Sequence, residues 1–135
     1  GNTNEGKGYD LVLVGQAEPT KIDVDAIQEK LRRPEYAPMA RSLREIGMNS
    51  AVDLFATYAG RKPDLEPWLR DATLNRDRNL RLQYLAGMGL NLYQSGPIYA
   101  EMIANASKFP ENLFIGSPEK IQELRQQFDR VRTGR

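Results

Sequence analysis

General acid–base chemistry in this chain would fall to Asp, Glu, Lys or Tyr, because its 135 residues include no histidine and no cysteine. Those two zeros remove Ser-His-Asp triads, Cys-His pairs, thiolate nucleophiles, disulfide frameworks and the common zinc sites. The carboxylates that stand near one another, Asp23 with Asp25 and Asp64 with Glu66, are spaced i, i+2. On a helix that spacing does not share a face, so these acids read as first-turn residues favoured by the helix dipole rather than as a catalytic pair. Gly87-Met88-Gly89 could cradle a phosphate, but it lacks the third glycine of GxGxxG and reads as an ordinary chain reversal. Arg76, Arg78 and Arg81 could together form an anion site. The alternative is a turn of the Asx type at Asn75 and Asp77 with solvated arginines. No catalytic residue, cofactor-binding residue or metal-ligand set is assigned from the residues themselves.

These groups need elements to hold them. Tyr9-Asp10-Leu11-Val12-Leu13-Val14-Gly15 carries four consecutive aliphatics ended by glycine, the pattern of a strand buried on both faces. Asp23 caps a helix with apolar positions Val24, Ile27 and Leu31, which Pro34 ends. A second helical stripe runs through Tyr36, Met39, Ala40, Leu43 and Ile46 to Gly47. Ser50 to Asp53 resembles a capping box and opens a short helix presenting Leu54, Phe55 and Tyr58, closed at Gly60. A further short helix carries Leu65, Trp68 and Leu69. Leu80, Leu82 and Tyr84 alternate with Arg81 and Gln83 as in a half-exposed strand. Ile98, Tyr99, Met102, Ile103 and Ala106 form one helical stripe entered at Pro97, and residues 113–115 are a weak third strand. Ser117, Pro118 and Glu119 announce a last helix with Ile121, Leu124, Phe128 and Val131 on its apolar face. The charges beyond Lys120 read as the solvated side of that helix, and the tyrosines and Trp68 as core or rim aromatics.

The pattern predicts a predominantly helical α+β domain over residues 9–135, preceded by a flexible lead-in at residues 1–8. Its 40% hydrophobic and 27% charged composition is that of a folded chain with a core. A net charge of +1 gives no bulk argument for nucleic acid or an anionic membrane. Apolar runs fall well short of a membrane span, and a cytoplasmic chain without membrane contact is expected. One imbalance remains. A strand buried on both faces needs partners on both edges, since each unpaired buried amide costs about 1–3 kcal/mol. Two or three short strands do not supply them, so the 9–14 strand is expected to be completed by an upstream region or a second copy. A small self-contained sheet packed on helices is the alternative.

The segment 9–15, then Pro19, Ile22-Asp23, the run Leu43 to Met48 with Ser50 and Asp53-Leu54, and finally Leu74 to Tyr84 together resemble the C-terminal part of spermidine synthase-like proteins. The resemblance spans residues 9–92 and points to the bacterial group in which the synthase follows a transporter-like membrane region. It implies a few strands from the C-terminal part of a Rossmann-like sheet, with a helical insertion at 23–72 and a helical tail. It further implies a parent aminopropyltransferase of polyamine biosynthesis with decarboxylated S-adenosylmethionine as co-substrate. The adenosyl-binding turn and the acids that hold the amine lie upstream in that family, so this chain would bind no cofactor and would be inactive alone. The family turn resembles LNTDDxPxLEY; Arg76 and Arg78 replace its threonine and second acid, and Asn75 and Asp77 are retained. By resemblance these two mark a cleft-side turn. A helical interaction or oligomerisation module without enzyme activity, using surface around residues 93–109, is the other reading.

Overall fold

A computed structural model describes residues 12, 14–15, 18, 20–80, 83–85, 92, 95–105 and 108–133. The fold is predominantly helical, with one parallel pair of two-residue strands among the described residues. The chain divides into two units, Gly1–Tyr58 with Phe109–Arg135, and Ala59–Lys108.

In the first unit, strand β1 (Ile22–Asp23) leads directly into helix α1 (Val24–Arg32). Asp23 is both the last strand residue and the cap: its Oδ1 accepts the Ala26 N–H at 2.9 Å. Lys30 and Arg32 occupy the last turn, where positive charge offsets the negative helix end. Pro34 then opens a 3-10 turn (Pro34–Tyr36), because a proline nitrogen has no hydrogen to continue an α-helix. Helix α2 (Ala37–Glu45) closes in a Schellman motif. The Gly47 N–H donates to the Arg44 carbonyl and the Met48 N–H to that of Leu43. Gly47 has φ +82°, a conformation that favours glycine. The expected stripe on α2 is covered only in part: Ala40 is buried, whereas Met39 and Ile46 are exposed.

Helix α3 (Ala51–Ala56) begins at Ser50, whose Oγ accepts the Asp53 N–H at 3.1 Å. Asp53 answers through Oδ2, which takes the Ser50 hydroxyl and the Asn49 N–H. The box predicted from sequence therefore forms, shifted by one residue on its return bond. Gln28 Oε1 accepts the Ala51 N–H at 2.9 Å and ties α1 to this helix start. The face that α3 buries is Ala51, Val52 and Ala56, not the expected Leu54, Phe55 and Tyr58. Small side chains let α3 approach α1 and the last helix closely, and the two rings sit at the flank of the core instead.

Strand β2 (Phe114–Ile115) pairs with β1 in parallel, Ile22 opposite Phe114 and Asp23 opposite Ile115. Phe114 lies 5.5 Å from the Phe55 ring, 5.8 Å from Tyr58 and 5.8 Å from Phe109. The last helix, which spans Pro118–Thr133, buries Leu124 and Phe128 completely, as its sequence stripe predicts. Each such side chain contributes about 1.5–3 kcal/mol by leaving water.

In the second unit, α4 (Lys62–Leu65) is capped by Asp64, which accepts the Arg61 N–H at 2.9 Å. Helix α5 (Ser95–Asn105) starts two residues before the expected Pro97. Met102 is buried, while Ile98 is 46% exposed. By chain order the last helix, Pro118–Thr133, is α6. The strand expected over 80–85 is corrected: Gln83–Leu85 are helical, and the Tyr84 N–H donates to the Leu80 carbonyl four residues back. Without a strand to pair with among the described residues, this backbone satisfies its hydrogen bonds locally. Gly87 and Gly89 lie outside the described residues. No helix among the described residues is long and apolar enough to cross a membrane.

Candidate functional site

The turn that carries Asn75 and Asp77 lies in the second unit, and residues 71–80 are exposed throughout. Asn79 does much of the work of folding it. Its Oδ1 accepts the Arg76 N–H at 2.9 Å, and its Nδ2 donates to the Leu74 carbonyl at 3.0 Å. The Asn79 and Leu80 N–H groups both reach the Arg76 carbonyl. Leu80 leaves the turn at φ +44°, an uncommon conformation for a branched side chain. Sequence reasoning looked to Asn75 and Asp77 and passed over Asn79; its signal was the third Asx residue of Asn-Arg-Asp-Arg-Asn. Asp77, Arg76 and Arg78 stand on this turn as solvated groups, and Arg81 lies outside the described residues.

The carboxylates singled out by spacing have structural roles. Asp23 and Asp64 cap α1 and α4. Asp25 does more than face a helix dipole: its carboxylate accepts the Ser117 N–H through Oδ2 and the Ser117 hydroxyl through Oδ1 at 3.3 Å. This joins the first turn of α1 to the start of α6 across 92 positions of sequence. Gly116 makes the approach feasible, since a Cβ there would lie 3.0 Å from Asp25 Oδ2. Among the described residues no cluster of three acids, histidines or cysteines could hold a metal ion.

Also in the first unit, Arg125 donates to both Glu111 oxygens, at 2.7 and 2.6 Å, and lies 4.6 Å from the Phe109 ring centroid. These hydrogen bonds hold the Glu111 carboxyl below the usual carboxylate range, against a small desolvation cost. The pair is exposed, so it orders the approach to β2 more than it stabilises the fold.

Two hollows accompany these features. One, of about 640 Å³, is lined by Lys62, Pro63, Glu66, Pro67, Leu69 and Arg70 in the second unit; its charges of both signs select no ligand. The other, of about 350 Å³, lies in the first unit between α1, α2 and the segment that follows α2. Its wall includes Leu31, Ala40, Leu43 and Met48, and Arg32, Arg33 and Arg44 border it.

Comparison of the chain with protein-family models, with curated proteins and with solved structures finds no match. The functional reading therefore rests on the residues and the geometry.

Proposed function

We propose that the chain is the non-catalytic C-terminal domain of a spermidine synthase-like protein, of the polyamine aminopropyltransferase family, which completes the sheet and active-site wall of the full protein. One observation carries this reading: Val12 and Val14 are 85% and 90% exposed, although they belong to the segment whose composition is that of a strand covered on both faces. Valines in such a sequence call for a cover, and an upstream synthase region or a second copy would supply it. The parallel pairing of β1 with β2 is the pairing used in Rossmann-like sheets and supports the same origin. Decarboxylated S-adenosylmethionine would then be held by the upstream region, with Asn75 and Asp77 on a turn at the edge of the cleft. The parent would work in the cytoplasm, tethered to the membrane by its upstream part.

Calorimetric titration of the purified chain with methylthioadenosine tests the assignment. The reading expects no binding heat. Saturable binding in the micromolar range contradicts it, because the adenosyl site would then lie within these residues.

A second reading, a helical interaction or oligomerisation module without enzyme activity, is favoured by Leu92 and Ile98, which are 59% and 46% exposed beside and on α5. It expects a dimer by light scattering with protection around residues 93–109. A strict monomer at high concentration removes it.

A further inference from the structure

We propose that the hollow between α1 and α2 is a binding site for a small organic oxyanion, with Arg32 and Arg44 holding its phosphate or carboxylate group and Leu31, Ala40, Leu43 and Met48 its apolar body. The proposal does not depend on the parentage argued above. At about 350 Å³ the hollow is of the size that small-molecule ligands occupy. Its lining is one-signed: three arginines and no carboxylate. Arg33 is partly engaged by Glu35 at 4.0 Å. The guanidinium groups of Arg32 and Arg44 have no hydrogen-bond or ion-pair partner among the described residues. A free guanidinium presents a planar fork of donors that matches the two oxygens of a carboxylate or phosphate. Gln28 adds a neutral donor: its oxygen is taken by the Ala51 N–H, which leaves its NH2 hydrogens unspent at the same hollow.

The competing account is that Arg32 and Arg44 merely offset the negative ends of α1 and α2, whose last turns they occupy. That account explains one arginine at each helix end. It does not explain why both border one hollow with an aliphatic wall and no acid. The two accounts separate by experiment, because a helix-end role is read in stability and a ligand role in binding.

The test is a ¹⁵N–¹H titration of the full chain with phenyl phosphate, inorganic phosphate and benzyl alcohol in parallel. The proposal expects phenyl phosphate to shift the amides of Leu31, Ala40, Leu43 and Met48 saturably and more tightly than the other two probes. The double variant Arg32→Gln/Arg44→Gln should weaken phenyl phosphate by about tenfold or more, as expected for the loss of charged hydrogen bonds. Arg32→Lys/Arg44→Lys keeps the charge, and so the helix-end interaction, and should still weaken binding through the loss of the fork. Leu43→Ala should weaken phenyl phosphate but leave inorganic phosphate unchanged. Absence of saturable shifts at these four amides overturns the proposal. So does undiminished affinity in the lysine double variant, or equal affinity for phenyl phosphate and inorganic phosphate.

Discussion

The two units of this chain spend their apolar residues differently. Residues 22–58 and 109–133 gather Val24, Ala51, Val52, Ala56, Phe114, Leu124 and Phe128 at exposures of 5% or less. Residues 59–108 bury Met102 among the described positions and leave Leu69, Leu74, Leu80, Tyr84, Leu85, Leu92 and Ile98 at 39–71% exposure. Short elements account for part of the contrast. Helix α4 has four residues, too few to bury a face. The first unit also has short elements, but side chains from elsewhere fasten several of its segments: Gln28 to α3, Asp25 to the start of α6, Arg125 to the approach to β2. In the second unit, the bonds of Asp64 with Arg61, of Asn79 with Arg76 and Leu74, and of Asn105 with Glu101 join residues no more than five apart. Stability in this chain is therefore expected to reside in the discontinuous unit.

The largest expected effect that would sharpen this contrast is Phe128→Ala. It removes a fully buried ring packed edge-on against Phe109 at 5.6 Å, and urea denaturation should show a loss of about 3–5 kcal/mol. Asp25→Ala strands the Ser117 N–H and should cost about 1–3 kcal/mol by the same measurement. Gly116→Ala should reproduce part of that loss by displacing the same carboxylate. Ser50→Ala removes the cap of α3 for about 1 kcal/mol. In the second unit, Leu74→Ser and Tyr84→Ser should each stay within about 0.5 kcal/mol of the parent, since both side chains already face water. A loss of several kcal/mol there would break the comparison.

The smallest effect concerns pH. Arg125 holds Glu111 more acidic in the fold than in the unfolded chain. The pair therefore contributes at neutral pH, and its contribution fades as pH falls through the lowered carboxyl value. Glu111→Gln should make the acid side of a stability profile slightly flatter and leave the alkaline side alone.

What the sequence made legible was local. Asp23, Pro34, Gly47, Ser50 and the Ser117-Pro118 pair are residue types that mark helix boundaries by themselves, and all five stand at boundaries in the structure. The face of α6 was readable because Ile121, Leu124, Phe128 and Val131 recur at helical spacing; Ile121, Leu124 and Val131 meet one core, and Phe128 is buried against Phe109. The β1–β2 pairing and the Asp25–Ser117 contact were not, since each joins positions about ninety residues apart that no local pattern links. Alternation at Leu80, Leu82 and Tyr84 misled for a related reason: a period of two marks a strand only where a neighbour pairs with it. The hollow between α1 and α2 depends on how two helices meet, so its arginines drew no attention as a group. The segment 9–14 lies largely outside the described residues, and Val12 and Val14 are what it contributes to the comparison.

Those two valines also offer the most direct test of the proposed role. Amide hydrogen exchange of the isolated chain, at a concentration where it is monomeric, reads their pairing residue by residue. An edge that waits for sheet neighbours from outside predicts exchange at Val12 and Val14 near the rate of an unstructured peptide, against slow exchange at Leu124 and Phe128. Protection of both valines equal to that of Leu124 in the monomer would contradict it, because the chain would then be supplying the partners itself.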